Sequence, residues 1–189
     1  MNAGKARDDL AMVERILSQS QQRLCAGGEF FVVWGLFSGG ATLAAHLVAV
    51  KLVSPNLLWA VAAALVACIV FSVWRGIALN ETVDRESLVQ REFFTVLWLA
   101  IALAFFVNIA LFRIFPGLAS AAIWGFVEAL VLLYIGLHGN RRAIVFGAIV
   151  IASMVAANFA PAQFSAYLLS FGLIAGYAGF GLAELLSKE

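Results

Sequence analysis

The chain has 189 residues, 63% of them hydrophobic and 12% charged, with a formal net charge of +1. Soluble domains carry about 25% charged residues, so a soluble globular protein is excluded, and one membrane domain with short polar ends fills the length. A near-neutral balance without a basic stripe also excludes nucleic acid as a partner and leaves the lipid bilayer.

Residues 1–27 are polar. Within them RDDLAMVERILSQSQQRL reads as an amphipathic helix on the cytoplasmic side, with Asp8 and Asp9 at its positive end and Leu10, Val13, Leu17 and Leu24 at heptad spacing. Ser20 interrupts that stripe, which favours packing at the interface over a coiled coil. A 27-residue leader is too long for the basic region of a signal peptide, so the apolar run that follows is expected to stay in the protein.

Residues 28–187 then hold six apolar stretches of the length that crosses about 30 Å of hydrocarbon. They run approximately over 28–50, 56–78, 93–115, 117–137, 143–159 and 164–186. Ser54-Pro55-Asn56, Pro116-Gly117 and Ala160-Pro161 mark tight turns, because proline ends a helix and drives its predecessor toward extended backbone. Polar loops at 80–92 and 138–142 separate the remaining pairs. The expected fold is therefore an all-α integral membrane protein of six transmembrane helices arranged as three hairpins, preceded by the cytoplasmic helix. With the amino terminus inside, ten of the twelve Lys and Arg face the cytoplasm and only Lys51 and Arg113 face out. That bias places both termini in the cytoplasm, as in a multi-pass protein of a bacterial inner membrane.

Glu29-Phe30-Phe31 and Glu92-Phe93-Phe94 open the first and third spans as a faint repeat, each with a tryptophan a few residues on. Interfacial anchoring accounts for the same pattern. Gly35 and Gly39 in the first span, and Gly172 and Gly176 in the sixth, have GxxxG spacing and mark helix-packing seams, within one chain or between protomers.

No catalytic, cofactor or metal site is expected. His46 and His138 fall at opposite membrane faces and cannot share a metal or haem. Ser38 and His46 are about 12 Å apart along one helix, beyond any nucleophile–base contact. Cys25 and Cys68 read as free thiols. Glu29, Glu92, Glu184 and Asn158 lie where they can reach the interface.

Glu128 differs. It stands about eleven residues into a span of about twenty-one, too deep to reach water by its own length. A charged carboxylate there costs about 2.5–3.5 kcal/mol on insertion scales, and the neutral acid escapes most of it. Asn108, Ser153 and Ser170 are its depth-compatible hydrogen-bond partners. Two functions are consistent with this inventory. The first is a non-enzymatic membrane protein acting by association, as a homo-oligomer or an accessory subunit of a membrane assembly. The second is a small-solute, ion or proton-coupled transporter or channel using Glu128.

Overall fold

A computed structural model describes residues 27–81, 88–111 and 118–187, and side-chain surroundings for 27–78, 95–110 and 121–187. The amphipathic helix expected within 1–27, Cys25 and the Pro116-Gly117 turn lie outside the described residues, as do the surroundings of the Glu92 side chain. Those described are helical with short turns and contain no strand. They form α1 (Gly28–Ala49), α2 (Leu57–Glu81), α3 (Leu88–Leu111), α4 (Leu118–Leu137), α5 (Arg141–Phe159), α6 (Ala162–Leu173), a π-helical turn (Ile174–Ala178) and α7 (Gly179–Leu186). The last three run on as a single rod.

Four helices are long and apolar enough to cross a bilayer: Gly28–Ala49, Leu57–Ala78, Arg141–Phe159 and the rod Ala162–Leu186. Thr95–Ala110 in α3 and Ala121–Leu137 in α4 are shorter apolar stretches. The chain is thus a helical membrane protein.

The turns follow the local chemistry. At the end of α1, Lys51 adopts a left-handed backbone (φ 59°), with its N–H bonded to the Val48 carbonyl and that of Leu52 to Leu47. This is a Schellman stop with lysine in the position glycine usually fills. Between α4 and α5, Gly139 takes φ 112° and Asn140 caps α5 by accepting from the Arg142 amide at 3.2 Å. Ala160 is extended (ψ 154°), as proline at 161 requires, and the Pro161 carbonyl starts α6 by accepting from the Phe164 amide.

Four rods make the core. α4 packs on α5, α5 on α6, and α1 runs against α6, the π-turn and α7 in succession, while contacts of α4 with α1 and the rod close the ring. Leu132, Ile135, Val150, Leu173 and Phe180 are sealed at its centre. α2 leans on α1 and α3 on α4. The apolar window of α2 is only 6% buried, against 50% for the last rod. Trp59, Val70, Trp74, Trp98, Leu99 and Phe106 are accordingly exposed, the surface expected of helices facing lipid tails.

Both glycine seams close inside one chain. A Cβ at Gly35 would strike the Ala178 backbone, one at Gly39 the Ile174 side chain and the Ser170 carbonyl, and one at Gly28 the Gly181 carbonyl at 2.9 Å. Gly172 and Gly176 face α5 instead, where an added Cβ would meet Ser153 and Val150. The Ser170 hydroxyl donates to the Gly39 carbonyl at 2.7 Å across the first seam. Small residues let backbones approach to distances at which dispersion and such bonds hold helices together in lipid.

Candidate functional site

The side chains that tie α2 to α1 lie away from these seams. Arg75 Nε donates to Glu29 Oε2 at 2.7 Å, and its Nη2 lies 2.5 Å from the same oxygen. The pair stays partly open, with side-chain exposures of 28% for Arg75 and 37% for Glu29. About one turn further on, Trp34 Nε1 donates to Ser72 Oγ at 2.9 Å, and Ser72 donates onward to the Cys68 carbonyl at 2.8 Å. Glu29, expected at the interface, thus has a named partner on the next helix.

Glu184 departs further from its expected place. Its position in the last turn suggested a side chain reaching water, but it is 6% exposed. Its Oε1 accepts from Asn140 Nδ2 at 2.8 Å, which ties the α4–α5 turn to α7. A buried acceptor needs a donor, and Asn140, which also caps α5, supplies one. The histidines are occupied separately. His46 packs edge-on against Tyr167, and His138 stacks on Tyr134 with its Nδ1 2.8 Å from the Tyr134 carbonyl. Among the described residues no three His, Cys, Asp or Glu come together as a metal set.

Glu128 sits in α4, which packs on both α1 and the π-turn, and it lies on the side that meets α1. As a residue it is half-buried, yet its Oε2 is closed to solvent and accepts no hydrogen bond. The Ser38 hydroxyl of α1 faces the carboxyl. Its other contact, to the Gly35 carbonyl, is 3.4 Å. That is long for an O–H···O bond, so the hydroxyl is free to turn toward Glu128. Tyr177, in the π-turn, packs its ring edge-on against Phe31 of α1, centroids 5.1 Å apart. Phe31 and Ser38 are seven residues apart and share one face of α1, so one stripe of that helix meets both Tyr177 and Glu128.

Two of the partners expected for Glu128, Ser153 and Ser170, direct their hydroxyls to backbone carbonyls. Asn108 Nδ2 donates to the Ala104 carbonyl at 3.0 Å and Ser153 Oγ to the Val150 carbonyl at 2.7 Å, each within its own helix. Ser170 bonds across to Gly39. Ser38 is the hydroxyl found at the carboxyl. It was legible by depth, since it lies about ten residues into its span, near mid-membrane like Glu128. The π-turn beside α1 was not, because no residue pattern announces one. No protein-family model, curated protein or solved structure matches the chain.

Proposed function

We propose that the chain is a six-span protein of a bacterial inner membrane, both termini cytoplasmic, that moves a small solute, an ion or protons by a mechanism in which Glu128 is the working group. One observation carries the reading: a carboxyl with one oxygen, Oε2, enclosed in the core and left unmatched. A buried acceptor left unmatched calls for an explanation beyond stability, and an ionisable group inside a membrane is by default a functional one. The neighbouring π-turn adds support, since such turns recur at functional sites.

The test is Glu128→Gln in proteoliposomes, compared with the parent for proton-coupled flux and thermal stability. Retained stability with lost flux supports transport. Lost stability with no measurable flux in either protein makes Glu128 an interhelical tie and sinks the reading. A single cysteine placed near Pro116 should label from outside in cells; cytoplasmic labelling would overturn the orientation.

Action by association remains a second reading, with a changed basis. The glycine stripes that first supported it are occupied within the chain, so a partner or second copy would dock on the exposed faces of α2 and α3, at Trp59, Trp74 and Phe106. A concentration-independent monomer in lipid nanodiscs would count against self-association.

A further inference from the structure

We propose that α5 binds an anionic phospholipid, its phosphate held by Arg141 and Arg142 and one acyl chain laid along the exposed stripe of the same helix. The site lies at a membrane boundary and is independent of the role of Glu128.

The charges argue first. Arg141 and Arg142 are the first two residues of α5, a helix long and apolar enough to cross a bilayer, so they stand where the span meets the headgroups. Both are exposed, and among the described residues neither forms an ion pair. The first turn of α5 also holds no acidic residue. Cations are favoured at the other end of a helix, because the amino end is already positive. Two guanidiniums there cost stability unless an anion answers them. Phosphate does so well, since the planar fork of arginine matches two of its oxygens.

The neighbouring carboxylate narrows the headgroup. Glu184 of α7 reaches this turn, but it is buried and its Oε1 accepts from Asn140 Nδ2 at 2.8 Å. Asn140 Oδ1 in turn accepts from the Arg142 amide at 3.2 Å. These bonds fix the shape of the turn and leave both arginine side chains unneutralised. Among the described residues they also leave no exposed carboxylate at the turn for the ammonium group of a zwitterionic lipid. His138, half-buried with its Nδ1 2.8 Å from the Tyr134 carbonyl, adds no negative charge. A headgroup of net negative charge fits this setting, as it does other basic clusters at the ends of spans.

The apolar face argues third, and it separates a lipid from a free phosphate. Arg141, Val145, Ala148 and Ala152 follow one another at spacings of four, three and four residues, and all are exposed. They therefore share one helix face. From Arg141 to Ala152 the helix rises about 16 Å, close to the roughly 15 Å of hydrocarbon in one leaflet. Ala148 and Ala152 are small beside Ile144 and Ile151, which are exposed along the edge of that face. The stripe is thus a shallow channel headed by a cation, the shape of a phospholipid rather than of a soluble anion.

Native mass spectrometry of the full chain in detergent, titrated with phosphatidylglycerol or phosphatidylcholine, resolves each bound lipid by its mass. One phosphatidylglycerol is expected to bind more tightly than those that follow it and than phosphatidylcholine. Its Kd should rise about fivefold in Arg141→Gln and in Arg142→Gln, and should reach that of phosphatidylcholine in the double variant. Ala148→Phe, which fills the stripe, should weaken the same step, and Arg75→Gln, which removes a cation already paired with Glu29, should leave it unchanged. Glycerol phosphate, the headgroup without its chains, should not compete at millimolar concentration. Should the double Gln variant fail to fold, Arg141→Lys with Arg142→Lys keeps the charge without the fork and is expected to bind with intermediate affinity; undiminished affinity there would overturn the phosphate contact. Equal Kd values for the two lipids, parental affinity in the double Gln variant, or an equal loss in Arg75→Gln would also overturn the proposal, the last by making the attraction diffuse. Displacement by glycerol phosphate would assign the arginines to a soluble anion and overturn the lipid.

Discussion

α1 is held on its two sides by different means. Toward the last rod it presents Gly28, Gly35 and Gly39, where backbone meets backbone and an added methyl has nowhere to go. Toward α2 it presents Glu29, Phe30 and Trp34, which reach Arg75, Phe71 and Ser72 through their own length. Contacts without intervening side chains fix the helix separation, because close-packed backbone cannot yield. Contacts through long side chains tolerate displacement, since rotamers can follow a moving partner. The core is therefore the rigid part, and α2 can shift against it without opening the Glu128 junction.

The largest test of this contrast is on the rigid side. Gly35→Val drives methyl groups into the Ala178 backbone and should lower stability by about 3 kcal/mol, read as a fall in thermal midpoint in lipid nanodiscs. Gly40, one position beyond the second seam glycine, has nothing within reach of an added Cβ. Gly40→Ala should accordingly leave stability unchanged or raise it by about 0.5–1 kcal/mol through helix propensity. Equal losses at the two sites would mean that the seam does not set the packing.

The yielding side should respond less. Arg75→Met removes the Glu29 ion pair, and because both partners stay in contact with water the loss should be no more than about 1 kcal/mol and should shrink as salt is raised. A larger, salt-independent loss would make the pair part of the rigid core. Smaller still is Ser72→Ala, which takes the acceptor from Trp34 and should cost about 0.6 kcal/mol, the usual value of a hydrogen bond between membrane helices. A double-mutant cycle between Trp34→Phe and Ser72→Ala isolates that term.

Much of this arrangement could be read from the sequence, and the limits have physical causes. Long apolar runs and proline stops locate helices because lipid forces every backbone group to bond within its own segment. The expected stretches 28–50 and 143–159 accordingly differ by no more than two residues at each end from α1 and α5. α3 begins earlier than the stretch 93–115, since Leu88–Glu92 can be helical without being apolar. The spacing of Gly35 with Gly39 and of Gly172 with Gly176 identified close-approach surfaces, but spacing holds no information about what approaches. Residue type and depth picked out Glu128, but depth admits Ser38, Asn108, Ser153 and Ser170 alike as its neighbours, because azimuth around each helix decides contact and depth leaves azimuth free.

The pairing of α1 with α7 also imposes an order in time. Gly28 meets Gly181, and a ribosome adding about 5–20 residues per second makes the second roughly 8–30 s after the first. Through that interval the glycine stripe of α1 must wait unpaired in the membrane. The ties to α2, encoded within the next few dozen residues, are the ones that can form while it waits. The looser of the two sides is thus the earlier to assemble, and the tighter one completes the molecule only when the last helix arrives.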